Sequence, residues 1–335
     1  MKLHPDGIDS TSFLDGCWGL EQEVKKSMEL IFLGTGAGTP SKERNVSAIA
    51  LRWSEGSGDT WLFDCGEGTQ HQILSTTVKL TRVSRLFITH LHGDHIFGLP
   101  GLLGTRSFQE DERPLTIYGP LGLEAFLEKA LQVSGTHLRY PYTFQEVEDG
   151  SEFICDGVRI QVAQLEHGIP CYGYRIEEPE RPGTLRSDLL KREGVAPGPH
   201  YRQLKEGKKV RLSDGRTLDG KDYLDAPKRG RRLAILGDTR PTAAAVKLAQ
   251  DVDLLVHEAT YGKDREDLAR EHFHSTTLQA AETACAAQAR RLILTHISSR
   301  YALAEGESLA EEARALFPET EVARDGKIVT VVREA

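Results

Sequence analysis

The chain has 335 residues, 39% of them apolar and 27% charged, with a formal net charge of -8, a composition that fits an ordinary globular protein with one large core or two moderate ones. Five cysteines (Cys17, Cys65, Cys155, Cys171 and Cys285), odd in number and scattered, form no Cys-x-x-Cys pair, which fits a reducing compartment better than a disulfide framework; no run has the length of a membrane span and residues 1–20 lack a secretory pattern, so a cytoplasmic chain without membrane contact is expected. The acidic total argues against nucleic acid, but residues 181–232 hold fifteen Lys or Arg against seven Asp or Glu, a local +8 that makes the average a poor guide to partners.

In chain order, the first convincing strand, 29–33, starts directly after Met28, the only methionine besides Met1. Two readings of residues 1–27 stand: translation starts at Met28, or these residues are a loosely held, disordered extension. The domain is expected over 28–335. Strand-like runs follow at 46–53, 60–64, 85–89 and 114–118, then a helical pattern at 122–133 and an alternating strand at 158–165. The stretch from about 177 to 232 differs. It is polar, basic, broken by Gly183, Gly194, Pro197, Gly198, Pro199, Gly207 and Gly215, and poor in the apolar periodicity of a core element. Such a piece is expected to project from the body, and its charge favours a clamp for a polyanion over a floppy insertion. Strand runs resume at 233–237, 252–257, 291–295 and 327–332, with helical patterns at 241–250, 275–289 and 308–316. The mixture predicts an α/β sandwich with sheets at the centre and helices outside, although periodicity alone does not exclude a doubly wound sheet.

The run His90-Leu91-His92-Gly93-Asp94-His95 packs four potential metal ligands into six residues at the end of a strand. In extended chain, side chains two apart point the same way, so His90 and His92 can share one ion. Gly93 is read as a sharp turn that sends Asp94 and His95 toward a second ion. His167, Asp238 and His296 each follow a strand, and ligands at strand ends converge on one edge of a sheet. The expected assignment is His90, His92 and His167 on one ion, Asp94, His95 and His296 on the other, and Asp238 between them. Imidazole and carboxylate without thiolate suit zinc, with manganese or iron as alternatives, in an open catalytic site. Two such ions about 3.5–4 Å apart activate one shared water and clamp the oxygens of a displacement at phosphorus. A leaving alkoxide then needs a proton, for which His274 is the candidate acid and Glu258 its orienting carboxylate. The stretch His274-Ser275-Thr276 reads equally as a helix N-terminus. Asp64 is read as the acceptor of a hydrogen bond from a ligand histidine, or as a plain turn aspartate before Gly66.

These residues resemble the metallo-β-lactamase superfamily, whose His-x-His-x-Asp-His segment stands at 90–95. Within it the chain is similar to the ribonuclease Z family of tRNA 3′-processing endonucleases, from Met28 to the C-terminus. The segments that carry the resemblance are 40–45 (Pro-x-Lys-x-Arg-Asn), Gly237-Asp238-Thr239, His257-Glu258-Ala259-Thr260, His274-Ser275-Thr276 and His296 to Tyr301. In the basic stretch, Gly198-Pro199 and Leu204-Lys205-x-Gly207 stand where the family has a flexible arm that grips tRNA. The resemblance implies a four-layer αββα sandwich with a protruding arm, a homodimer, and removal of the 3′ trailer of precursor tRNA by attack of metal-activated hydroxide. The tRNA would keep a 3′-hydroxyl and the trailer a 5′-phosphate. It also implies two zinc ions per subunit and substrate contacts from Lys42, Arg44, Asn45, Ser298, Arg300, Gly198, Pro199 and Lys205. For Lys42 and Arg44 the residues say the same, since both follow a glycine-rich loop and can offer cationic donors to a phosphate beside the metals. The rival reading is a metal-dependent hydrolase of small phosphodiesters or esters.

Overall fold

Apolar runs of four to eight residues without clean alternation need both faces of a sheet covered. The computed structural model, which describes residues 28–53, 58–109 and 112–333, meets that need with two seven-stranded sheets face to face and helices on both outer sides. The expectations for residues 1–27 lie outside the described residues. One sheet runs 328–331, 28–34, 48–53, 60–63, 83–87, 115–119 and 142–146; the other runs 320–322, 292–295, 254–258, 232–235, 171–177, 158–165 and 152–155. Between the sheets lies a core rich in aromatic rings, with Phe87 stacked on Phe63 at 4.9 Å and on Tyr118 at 4.8 Å. Each ring buried there contributes about 1.5–3 kcal/mol.

Helices Thr69–Leu74, Leu99–Ser107 and Leu123–Ser134 cover one outer face, and Ala243–Leu248, Thr277–Ala286 and Gly306–Arg314 the other. The α/β sandwich read from the sequence is the fold that forms. Several elements were not legible, among them the strands 142–146, 152–155 and 320–322 and the helix Thr69–Leu74, and two others show the reason. Leu99–Ser107 contains Pro100, Gly101 and Gly104, which read as helix breakers, yet Pro100 sits in the first turn, where no backbone donor is lost. Cys171–Glu177 is a central strand carrying Gly173 and Arg175, which hid its apolar character. Among the described residues no helix is long and apolar enough to cross a membrane.

Residues 178–231 leave the second sheet between two neighbouring strands, Cys171–Glu177 and Arg232–Ile235. Two paired backbone segments form the neck: Glu178 N–H donates to Arg231 O at 2.9 Å, and Arg181 and Lys228 exchange two hydrogen bonds of 2.9 Å. Beyond it lie helices Ser187–Arg192 and His200–Lys205 and the hairpin Lys209–Arg211 with Thr217–Asp219. Leu190, Val195, Leu204, Val210, Leu218 and Tyr223 form a small core there, separate from those of the body. This corrects the reading of the stretch as lacking core elements. Its apolar residues come at irregular intervals and meet only after the hairpin and helices fold, so no period appears in the sequence.

The neck carries a buried ion pair. Glu178 accepts from Arg231 N, Nε and Nη2 at 3.1, 2.8 and 2.6 Å and from Arg333 Nη2 at 2.9 Å. The side chains of Arg231 and Glu178 are only 2% and 7% accessible. Burial alone would raise the Glu178 carboxyl, but Arg231 and Arg333 outweigh it and hold the group at about 2, against an ordinary 4.5. A carboxylate lowered in the folded state contributes stability above its unfolded value and loses it as pH falls through the folded one. Glu178→Gln is therefore expected to destabilise the fold by about 3 kcal/mol at neutral pH by stranding a buried guanidinium. The deficit should shrink as the pH of parallel urea melts is taken from above 4.5 toward 2. A pH-independent deficit would show that packing, not charge, holds the neck.

Candidate metal centre

The strands 60–63, 83–87, 158–165, 232–235, 254–258 and 292–295 all end at one edge of the sandwich; Glu258 is the last residue of its strand, and the chain just beyond the others supplies Asp64, His90, His167, Asp238 and His296. In four sets, one ligand atom from each residue lies within 4.8 Å of the others: His90, His92 and His167; His90, His95 and Asp238; Asp94, His95 and His296; Asp238, His274 and His296. Asp238 Oδ2 sits between, 3.6 Å from His90 Nε2, 3.5 Å from His95 Nε2 and 3.3 Å from His296 Nε2. Asp94 Oδ2 is 3.3 Å from His296 Nε2 and 3.5 Å from His95 Nε2.

Hydrogen bonds on the far side of the rings define which atoms face inward. His95 Nδ1 donates to Asp64 Oδ2 at 2.8 Å, and His167 Nδ1 donates to Phe273 O at 3.0 Å. The Thr89 hydroxyl donates to Asp64 Oδ2 at 2.9 Å, so it can only accept from His90 Nδ1 at 3.0 Å. In the same way Thr260 donates to Glu258 Oε2 at 2.9 Å and accepts from His296 Nδ1 at 2.9 Å. With each Nδ1 proton committed outward, four Nε2 lone pairs point inward at one another and at two carboxylates. His92 Nδ1 joins them, 3.1 Å from both His90 Nε2 and His167 Nε2. His95 Nε2 is buried without a hydrogen-bond partner.

Acceptors gathered without donors repel unless cations stand among them, and this donor set fits divalent ions. The charges agree. Burial works against a proton on His95, yet Asp238 and Asp64 outweigh it and raise its proton affinity well above the ordinary value: the carboxylates call for positive charge at this point. On Asp94 and Asp238 burial is likewise outweighed, here by the surrounding imidazoles, and both stay below the usual carboxylate range. Burial keeps His90 well below its ordinary value and so neutral, as a ligand must be.

The backbone around the cluster is strained. Asp64, Phe273 and His296 have φ of 58°, 59° and 55°, each costing roughly 1–2 kcal/mol outside glycine. Asp64 is at once a turn residue and the acceptor of bonds from Thr89 N, Thr89 Oγ1 and His95 Nδ1. Gly93, read as a sharp turn, begins the short helix Gly93–Ile96, and a Cβ there would lie 2.2 Å from the ring of Phe97 where that ring now sits. Gly66 is constrained similarly, with Asp94 O 2.2 Å from where a Cβ would stand.

Glu258 is buried and fully engaged: Oε1 accepts from Thr239 N, Ser275 N and His274 Nδ1 at 3.1, 3.0 and 2.9 Å, and Oε2 accepts from Thr260 N and Oγ1. Burial opposes a charge on His274, but Glu258 pushes the imidazole up to about 9. His274 Nδ1 is 4.0 Å from Asp238 Oδ2, and its commitment to Glu258 leaves Nε2 as the nitrogen free to act. The helix reading of this stretch also holds: Thr276 caps Thr277–Ala286 through a capping box with Gln279.

The residues expected to touch substrate are scattered. Arg44 is a correction to the sequence reading, because it is buried and donates from Nη1 to Thr35 Oγ1 and Ala323 O, both at 2.7 Å. It braces the loop that Lys42 exposes. Asn45 donates to Glu67 O at 2.8 Å, Ser298 Oγ accepts from Arg300 N at 3.4 Å, and Arg300 is exposed. On the arm, Gly198 and Pro199 precede the helix that buries Leu204 and exposes Lys205. The sequence reading missed Thr89, Thr260 and the Gly38 N–H, which donates to Asp94 Oδ2 at 2.8 Å. The two threonines did leave a signal in the chain: Thr89 directly precedes His90, and Thr260 lies two residues after Glu258, both at strand ends.

Two family models match the chain, one described as Anti-Pycsar protein Apyc1 over residues 28–185 and one as Beta-lactamase superfamily domain over residues 224–297. The chain is 54% identical over 307 residues to Ribonuclease Z of Anoxybacillus flavithermus, covering 92% of this chain and 98% of that protein. It is 55% identical over 307 residues to Ribonuclease Z of Bacillus cereus strain ZK / E33L, covering 91% and 100%. Among solved structures, human tRNase Z, short form, superposes with a TM-score of 0.66 at 32% identity, covering 91% of this chain and 99% of that one. The metallo-beta-lactamase fold protein YhfI from Bacillus subtilis, at 18% identity and a TM-score of 0.63 over 91% of this chain and 99% of its own, shares the fold.

Proposed function

The chain belongs to the ribonuclease Z family, and from that premise we propose that it is an endoribonuclease that removes the 3′ trailer of precursor tRNA. The observation that carries the chemistry is the inward-facing set of Nε2 lone pairs and Asp oxygens, which suits a divalent metal. We assign His90, His92 and His167 to one ion, Asp94, His95 and His296 to another, and Asp238 to both; two zinc ions per subunit fit best, with manganese or iron able to use the same ligands. Bound there, the ions supply hydroxide at neutral pH and offset charge on the phosphate.

The chain's own residues do the rest. Thr89, Asp64 and Thr260 fix the ring orientations, and such outer partners commonly matter by about 10- to 100-fold. By accepting from Nδ1, Glu258 keeps the His274 ring doubly protonated. As an oxygen from water bonds to phosphorus and the P–O3′ bond breaks, the departing O3′ takes the proton on His274 Nε2, leaving a 3′-hydroxyl on the tRNA and a 5′-phosphate on the trailer. Lys42, Asn45, Ser298 and Arg300 are our candidate substrate contacts, with Arg44 holding the loop of Lys42 and Asn45. The arm is the grip for the tRNA body. Its exposed Arg186, Lys191, Arg192, Lys205, Arg211 and Lys221 support this, since a small substrate has no use for remote positive charge. A cytoplasmic homodimer is the assembly proposed.

The test is incubation of the purified protein with a trailer-bearing precursor tRNA, with and without a chelator, mapping the cut and its end groups. One chelator-sensitive cut with the stated ends is expected. Lys205→Glu combined with Arg211→Glu should weaken precursor binding and flatten the slope of log affinity against log salt by about one unit for each phosphate no longer neutralised, while cleavage of a small aryl phosphodiester is spared. A fully metallated protein that leaves the precursor whole but cuts the small ester would favour the rival hydrolase.

A further inference from the structure

Phe97 is 62% exposed although it lies only two residues beyond His95. Single exposed rings are common on protein surfaces and mean little alone. This one opens into a groove of about 390 Å³ that it shares with His92, Asp94, Glu67 and the loop Gly38–Pro40. Its place is built in. The ring lies across Gly93, where a Cβ would come within 2.2 Å of it, so the residue between two candidate metal ligands must be glycine for the ring to sit there. Phe126 backs it, with ring centroids 6.3 Å apart and planes inclined by 34°. The rest of the groove is lined by the His92 imidazole, the Asp94 and Glu67 carboxylates, Val46, Thr39, Pro40 and backbone.

We propose that Phe97 is a stacking platform for a nucleobase of the nucleotide flanking the scissile phosphate. The inference rests on the reading that an RNA phosphodiester is cut at the adjacent cluster, and it adds a base-binding subsite to that reading. A phosphate drawn to the cations that His92 and Asp94 help to hold would have its neighbouring bases one sugar away, over the same groove. Every base presents a π-face, so a ring in this position holds the strand without demanding a sequence, as stacking platforms in single-strand binders do. Phe97 is a positioning residue in this account: it fixes where the strand lies relative to the cluster.

The experiment compares wild type, Phe97→Ala and Phe97→Trp on intact precursor tRNA and on precursors with an abasic nucleotide immediately 5′ or immediately 3′ of the cut. Phe97→Ala should lower kcat/KM on the intact precursor by about 10- to 100-fold, the scale of removing one base–aromatic stack. Wild type should lose a similar factor when one of the two bases is removed, Phe97→Ala should lose nothing further from that removal, and Phe97→Trp should behave as wild type. Equal sensitivity of wild type and Phe97→Ala to both abasic substrates overturns the proposal. So does a Phe97→Ala variant whose only change is in metal content or in oligomeric state, which would make the ring a structural prop or a contact between copies. Failure of fully metallated wild type to cut the intact precursor is a different result, one that removes the ribonuclease reading and this inference with it.

Discussion

Asp238→Ala is expected to lower precursor cleavage by at least about three orders of magnitude and to reduce bound metal below the wild-type stoichiometry. The scale follows from the several kcal/mol of charge stabilisation that metal ions supply at a phosphoryl centre, at about 1.4 kcal/mol per decade. The Asp238 carboxylate lies within 3.6 Å of three of the inward Nε2 atoms, those of His90, His95 and His296, so it belongs to both halves of the cluster. Asp238→Asn keeps the shape and removes the charge, so it separates electrostatics from packing: metal loss in both variants with unchanged thermal unfolding of the metal-free proteins would place the effect in the charge. Retention of full metal content and near-normal cleavage by Asp238→Ala would mean that the two triads do not depend on a shared carboxylate.

His274→Ala is the second large effect, about 10²- to 10⁴-fold in kcat, the usual contribution of a positioned acid. Metal content should stay at the wild-type level, because His274 Nδ1 is committed to Glu258 rather than turned toward the Asp238 cluster. Glu258→Gln should resemble it only in part. That change weakens the hold on the His274 proton, but it also disturbs Thr260 and through it His296, so some metal is expected to be lost as well. Metal measurement therefore separates the two residues. Loss of metal from His274→Ala would place His274 among the ligands, in the set it forms with Asp238 and His296.

Much of the site could be read before any fold was known, and the reason is local. Ligands at 90, 92, 94 and 95 are neighbours in sequence, and His167, Asp238 and His296 each follow a run that reads as a strand. The outer partners were harder. Whether Thr89 or Thr260 holds a ring depends on which way a hydroxyl turns; that is decided for Thr89 by Asp64, arriving from the neighbouring strand, and for Thr260 by Glu258, whose own orientation is set by Thr239 and Ser275 from elsewhere in the chain. Arg44 shows the same limit: a cation beside a glycine-rich loop looks like a phosphate donor, yet Thr35 and Ala323 O, the latter 279 positions away, draw its guanidinium inward.

By itself the sequence determined the α/β class, the positions of most strands along the chain and the identity of the inward-pointing groups, because strand patterning and ligand chemistry are carried by residues close together in the chain, while the pairing of the strands into two facing sheets is not. The tertiary structure alone decided the small core of the arm, the contact that makes position 93 a glycine, the direction of Arg44 and the exposure of Phe97. Each of these depends on what a side chain meets when the chain is folded, and packing of that kind has no period to read.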